Sequence, residues 1–477
     1  MVLTVSGGGT RASALGYGAM RAMRDVRFGD GGTTLLDAVD IVSSVSGGSV
    51  PAAYLALRGP AGIDDFRERF LLRDGMAALI WGGLNPYGLA SLSTAGVERI
   101  DLLIDHFDNS LFAGATYADL RDPRSASGWK RPYLILNAAD MAAEAPFPFH
   151  QWQFDLLCSD LETLPLSVAV AASAAFPAAL SPVTLRNYSE PGGCPGQRAL
   201  GSGCLGQQAL GSGWPPCWVT STQEAIAAGG LVYDNPGSVR RARLAAGYYE
   251  TRAGALMRPY VHLLDGGIAD NLGLAEPLRL MTSVEIEPRL FSNFFDSAMS
   301  IQDVLVVVVN ARSDPDSDLD VEVATPGMID MLTASISSAI DNATFGTQGR
   351  LALQIRELIR ETANLDGMGE DLRANMEIQL SRLDIQTAMI DFDYITNDNC
   401  RRLFQNIATT WTLEQAEVDA LIDLSGALLW KDPGFRLFLQ RQRDRGVDVG
   451  PSWDEGRIAA AETAACGRLA LHAAGAG

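Results

Sequence analysis

An α/β fold with a largely parallel central sheet and helices on both faces is expected from three features of this 477-residue chain. From Val2 to about Leu57, strand-like apolar runs alternate with helical stretches in βαβα order, which builds parallel sheets covered on both sides. Asp303 to Asn310 encloses an unbroken, valine-rich apolar run, the pattern of a strand buried on both faces. Glycine-rich turns stand where the strand-like runs stop, at Gly7, Gly47 and Gly266.

The first strand is Val2 to Ser6, followed by a glycine turn and a helix from about Ala12 to Arg24. A loop with Gly29, Gly31 and Gly32 leads to a short helix near Leu35. The strand Ile41 to Val45 ends at Ser46, and a helix runs from about Pro51 to Leu57. Residues 61–125 read as mostly helical. Within them the uncharged stretch Met76 to Leu89 is either a core helix with its turn or an acyl-chain channel or lipid-touching lid. Pro132 to Asn137 is a strand, 150–158 strand and turn, 164–175 a small-residue helix, and Val183 to Leu185 a short strand. A ten-residue segment is then duplicated in tandem, Cys194–Gly203 and Cys204–Gly213, inside a glycine-rich surface insertion over 189–217.

A helix over about 238–256 is expected before the strand Tyr260 to Leu264. Beyond Asn310 two helical stripes follow, Ile329, Leu332, Ile336 and Ile340, then Leu351, Ile355, Leu358 and Ile359. Alternation at Ala388, Ile390, Phe392 and Tyr394 suggests an edge strand. A capping-box pattern from Thr412 to Gln415 opens a helix carrying Val418, Leu421 and Leu428. The Ala/Gly-rich tail after Gly446 is expected to fray. The division that results is a catalytic domain over 1–312 and a mainly helical extension over 313–477 packed on it.

Net charge is −20, so no basic surplus exists to neutralise phosphates, and nucleic acid is disfavoured as a partner. Purely electrostatic docking on anionic membranes is disfavoured too, whereas apolar contact is not. Met1 to Val5 runs straight into the glycine turn without the charged region or cleavage site of a signal peptide. So abrupt a start leaves room for residues upstream. The uncharged run Thr163 to Leu185 is long enough for a membrane span. Pro165, Pro177 and Pro182 interrupt it, so a buried helix with loops is expected. A cytoplasmic or peripheral-membrane location is favoured. Cys158, Cys400 and Cys466 are scattered, while Cys194, Cys204 and Cys217 share the insertion, where a disulfide is possible. With no Cys-x-x-Cys and only four histidines, zinc has no obvious ligands. No metal and no cofactor is expected.

Ser46 stands at a strand-to-helix corner with small residues two before and two after it, Ser44 and Gly48. This is the nucleophile-elbow pattern, in which a tight turn pushes the hydroxyl out of the sheet edge. Gly7-Gly8-Gly9 exposes backbone N–H groups at a helix start, an anion site. The stretch Gly7 to Ala12 also fits a loose dinucleotide pattern, but no acidic residue closes a second strand at the expected distance. An oxyanion hole from Gly8, Gly9 and the Gly47 N–H is the better account. Arg11 either holds the loop, adds positive charge, or is a surface residue. Asp265-Gly266-Gly267 ends an apolar strand at the sheet's carboxyl edge, where active sites of open α/β sheets lie. An ordinary aspartate is ionised at pH 7 and can accept the serine proton; the plainer alternative is a turn aspartate. Asp270 and Asn271 would hold the following loop. Of the histidines, His106 and His472 are poorly placed, His262 points away from Asp265's face, and His150 stays open.

In these residues the chain resembles the patatin-like phospholipase family. The resemblance rests on Gly7-Gly8-Gly9-Thr10-Arg11, Ser44-Val45-Ser46-Gly47-Gly48, the small-residue segment Pro165 to Pro177, and Asp265-Gly266-Gly267, and covers roughly residues 1–312. It implies a three-layer α/β fold, a Ser–Asp dyad and hydrolysis of acyl esters in phospholipids or other lipids, without a metal. Ser46 would be the nucleophile and Asp265 the base. Gly7, Gly8, Gly9 and Gly47 would form the oxyanion hole, supported by Arg11, Gly48, Gly266 and Gly267. Ser44 replaces the family's more usual glycine. The partner implied is a lipid substrate reached by transient contact with a membrane surface or micelle; protein partners are not indicated. The alternatives are an acyltransferase or thioesterase on the same dyad, a non-catalytic lipid- or partner-binding protein, and a dinucleotide enzyme.

Overall fold

The computed structural model describes residues 1–73, 98–124, 130–177, 179–189, 194, 236–282, 303–314 and 384–475. The stretch at 76–89, the tandem repeat apart from Cys194, and the helical stripes at 329–340 and 351–359 lie outside the described residues.

Among the described residues eight strands make one sheet: β1 (Val2–Val5), β2 (Ile41–Val45), β3 (Tyr133–Asp140), β4 (Ala145–Pro148), β5 (Val183–Arg186), β6 (Tyr260–Asp265), β7 (Asp303–Asn310) and β8 (Asp384–Asp391). Their order is β8-β7-β1-β2-β3-β6-β5, with β4 paired to β3. The five strands from β8 to β3 are parallel. At β6 the sheet departs from the expectation, because β6 runs antiparallel to both β3 and β5.

The change of direction falls at the end of β3, which outlasts β2. Val45 pairs with Asn137, and Ala138 to Asp140 project beyond it. The strand β4, which the sequence did not suggest, folds back on one side of this overhang. β6 comes down the other side, with Leu263 opposite Asp140 and Asp265 opposite Ala138. Asp265 thus reaches the carboxyl edge of the parallel strands as the last residue of an antiparallel one.

The described helices that matter for the site are α1 (Gly9–Arg24), α2 (Ser49–Arg58), α3 (Leu166–Ser173), α4 (Ala275–Thr282), α5 (Asp398–Gln405), α6 (Gln415–Lys431) and α7 (Glu455–Gly475). Leu3 and Val5 of β1 face the larger apolar layer, which includes Leu15, Leu55, Val170 and Leu421. Val2 and Val306 face a smaller one with Leu272, Leu274 and Leu278. Alternate residues of one strand therefore feed two cores, as side chains of period two must. The C-terminal third shares in this: β8 is an edge strand of the same sheet, and α6 lies against α1, with Ser425 Oγ donating to the Leu15 carbonyl at 2.8 Å.

Several local expectations change. The segment after 238 is a helix, Pro236–Ala246, followed by a small hairpin through Ala253 and Gly254. Residues 151–155 are helical, not extended, with the His150 ring accepting from the Gln153 N–H as cap. Near Leu35 the chain forms turns only. The cap of α6 is Glu414 with Glu417, two residues beyond the expected start. The tail does not fray; it is the 21-residue helix α7. Ile458, Glu462, Ala465 and Leu469 form its buried stripe, and Ala is the strongest helix former.

Among the described residues two disulfides join distant segments, Cys158–Cys194 and Cys400–Cys466. Cys194 therefore pairs outside the insertion. Such bridges persist in oxidising compartments and weigh against the cytoplasmic expectation. Among the described residues no helix is long and apolar enough to cross a membrane, and the run 163–185 is spent on α3, β5 and their connections.

Candidate active site

Ser46 begins a single 3-10 turn between β2 and α2. Its φ is 52°, the left-handed region, which costs a non-glycine residue about 1–3 kcal/mol and persists only where its surroundings enforce it. They do. The Ser46 N–H donates to Ser173 Oγ at 2.9 Å, and Ser173 Oγ donates to the Asn137 carbonyl at 2.6 Å. Ser49 Oγ, 2.9 Å away, then donates to Ser173 Oγ, whose own proton is already given. Ser44 and Gly48 occupy the two small positions, both buried. Gly47 has no room for a side chain: a Cβ there would stand 2.0 Å from the Gly9 carbonyl oxygen. Ser13 Oγ donates to the Gly47 carbonyl at 2.6 Å and ties α1 to the turn.

Ser46 Oγ donates to Asp265 Oδ2 at 2.6 Å. The other carboxylate oxygen, Oδ1, accepts from the Gly267 N–H at 2.8 Å. Asp265 is 4% exposed, and among the described residues no cation is paired with it. Burial pushes its carboxyl up to about 6, against the lowering effect of the bonds from Ser46 and Gly267. The residue is fixed through its backbone as well. Asp265 N–H donates to the Ala175 carbonyl at 3.0 Å, and Gly266 N–H to the Ser173 carbonyl at 3.1 Å. The end of α3 thus holds both Ser46 and Asp265. Gly266 must lack a side chain, since a Cβ would lie 2.1 Å from the Asn137 carbonyl oxygen.

The glycine loop lies between β1 and α1. Gly7 N–H is shared by the backbone and side-chain oxygens of Asn271, each at 3.2 Å, so this expected donor is already occupied. Gly8 and Gly9 follow at φ 137° and 58°. Thr10 N–H donates to the Thr410 carbonyl at 2.8 Å. Among the described residues the N–H groups of Gly8, Gly9 and Gly47 have no acceptor. A Cβ on Gly9 would stand 2.5 Å from the Thr410 carbonyl oxygen, so the C-terminal segment lies directly against the glycine loop.

Arg11 is 2% exposed, which removes the surface reading. Its guanidinium donates to three neutral oxygens: the Ala311 carbonyl through Nε at 2.9 Å, the Ile407 carbonyl through Nη1, and Thr409 Oγ1 through Nη2 at 2.9 Å. Burial lowers it to about 10, so it stays charged at pH 7.

His150 does not join the site. Its Nδ1 accepts from the Gln153 N–H at 3.2 Å, so Nε2 carries the proton and donates to Glu276 Oε1 at 2.8 Å. Burial holds it down to about 4 and both ring nitrogens are engaged. His262 Nδ1 meets Thr184 Oγ1 on the exposed face of β6, and the His106 ring lies tilted against Phe70 and Phe107. Among the described residues no cluster of three His, Cys, Asp or Glu could hold a metal ion.

Sequence reasoning missed Ser173, Asn137, Ser13 and the segment Ile407 to Thr410. Ser173 alone carried a signal, as a polar residue in an alanine-rich helix. The family model described as Patatin-like phospholipase matches residues 3–236, a stretch that holds the glycine loop, Ser46 and Ser173 and ends before Asp265. No curated protein matches the chain. Over residues 3–236 the chain belongs to the patatin-like phospholipase family.

Proposed function

We propose that this protein is a serine hydrolase that cleaves acyl esters of phospholipids, lysophospholipids or related lipids, with Ser46 as nucleophile and Asp265 as base. Family membership supports hydrolase chemistry on lipids in general. The observation that carries the finer reading is the 2.6 Å contact between an elbow serine in strained backbone and a buried carboxylate.

In this mechanism Ser46 Oγ attacks the ester carbonyl carbon while Asp265 Oδ2 takes the hydroxyl proton. The negative oxygen of the tetrahedral intermediate lies against the N–H groups of Gly8, Gly9 and Gly47; one such donor contributes about 3–4 kcal/mol to the transition state. The C–O bond to the leaving alcohol breaks, the alcohol takes the proton from Asp265, and an acyl-Ser46 ester is left. Water then attacks that ester and gives its proton to Asp265. The fatty acid departs and Ser46 Oγ recovers the proton. No step requires a metal or cofactor. The lipid is reached by transient contact with a membrane surface or micelle.

A fluorophosphonate probe tests the nucleophile directly. Labelling that maps to the Ser46 peptide and disappears in Ser46→Ala is the expected result. A folded wild type that the probe does not modify would turn the reading towards a lipid- or partner-binding protein.

A further inference from the structure

We infer that the C-terminal segment Ile407 to Thr410 is the positioning element of the glycine loop, and that Thr409 is a positioning residue acting through Arg11. The inference rests on the hydrolase reading and adds to it a part of the chain outside residues 3–236.

A buried cation is costly unless its donors are satisfied. Among the described residues Arg11 has no carboxylate acceptor, but three neutral oxygens around a planar fork. One belongs to Ala311, just past β7, and two belong to Ile407 and Thr409. The guanidinium is therefore triangulated between the sheet edge and the C-terminal segment. Gly8 lies directly against it: a Cβ there would be 3.2 Å from Arg11 Nη2. Gly9 lies against the Thr410 backbone, and Thr410 takes the Thr10 N–H. The same segment thus supports the two loop donors, Gly8 and Gly9, and takes the neighbouring Thr10 N–H away from the site. An oxyanion donor displaced by a fraction of an ångström loses most of its worth, since its effect depends on being fixed in advance.

The segment is itself anchored. It follows α5, which Cys400–Cys466 bonds to α7, and the Thr396 N–H just before α5 donates to Glu462 Oε1 of α7 at 2.8 Å. Thr409 is exposed although the guanidinium it accepts from is buried, so changing it hollows out no core.

The test uses the full-length protein and p-nitrophenyl butyrate, with thermal melting recorded for every variant. Thr409→Val should lower kcat about tenfold with KM changed less than about twofold, because the loss is confined to the transition state. Thr409→Ala removes the same hydroxyl without a branched side chain and should do the same, whereas Thr409→Ser should restore kcat to within about twofold. In an Arg11→Lys background the Thr409→Val loss should shrink, since coupled residues are not additive. An active wild type whose Thr409→Val and Thr409→Ala variants keep kcat overturns the inference alone. So does a loss confined to KM, a loss that serine does not restore, or full additivity with Arg11→Lys. A wild type that neither turns over ester nor reacts with the probe overturns the hydrolase reading and this inference with it.

Discussion

Ser46 Oγ and Asp265 Oδ2 stand 2.6 Å apart, although 219 residues separate them in the chain and both are shut away from solvent. One short segment, Ser173 to Ala175, bonds to the backbone of both. The contact does not depend on two flexible side chains finding each other. It is set by the end of one helix, which holds a strained turn on one side and the last residue of an antiparallel strand on the other.

The acid limb of the pH profile should report Asp265. The carboxylate form accepts the serine proton, and burial raises its pKa to about 6. Below that value the base is protonated, so kcat/KM should fall about tenfold per pH unit on the acid side. Rates from pH 4 to 8 on a soluble ester give the limb. A profile flat down to pH 4 would contradict Asp265 as the base.

The same burial predicts a trade between activity and stability. Between the unfolded value of 3.8 and about 6, the folded protein keeps a proton that the unfolded chain has released. Stability from this group therefore falls as pH rises through that window and remains lower above it. The shift corresponds to roughly 3 kcal/mol at pH 7, as an upper figure. Asp265→Asn should abolish turnover yet melt at a higher temperature than wild type at pH 7.5, and the advantage should vanish below about pH 4. Melting curves at the two pH values decide it; a less stable Asn variant at pH 7.5 would count against an uncompensated buried charge.

Gly47→Ala should be far more damaging than its size suggests. The added Cβ would lie 2.0 Å from the Gly9 carbonyl oxygen, so the elbow and the glycine loop must separate. Activity should drop by at least about a hundredfold through lost oxyanion contacts, with about 1–3 kcal/mol of stability lost to overpacking. Gly467→Ala is the matched control, because a Cβ there meets nothing within 4 Å on the helix α7. It should be neutral or stabilise by up to about 1 kcal/mol. Denaturant melts and ester turnover of the pair separate the two effects.

The candidate site was legible where one residue type is forced locally. Ser46 sits at the end of an apolar run and is flanked by small residues; Asp265 ends another such run before two glycines. Each pattern exists because backbone must pass close to backbone, as Gly47 and Gly266 show. What the sequence hides is pairing at long range. Nothing local marks β6 as antiparallel; its direction shows only in its pairing with β3 and β5. Arg11 looked like a surface residue or a loop support because its acceptors lie 300 and nearly 400 residues away. The terminal helix was legible and was misread. Ile458, Ala465 and Leu469 keep helical spacing, but the alanine and glycine around them suggested fraying.

In the proposed mechanism Ser46 and Asp265 together carry out acyl-ester hydrolysis. Fatty-acid release from phospholipid and lysophospholipid vesicles tests it most directly, comparing wild type, Ser46→Ala and Asp265→Asn with a chelator present. Release by the wild type alone, undiminished by the chelator, is the predicted result. Equal release by all three proteins would contradict the assignment of both residues.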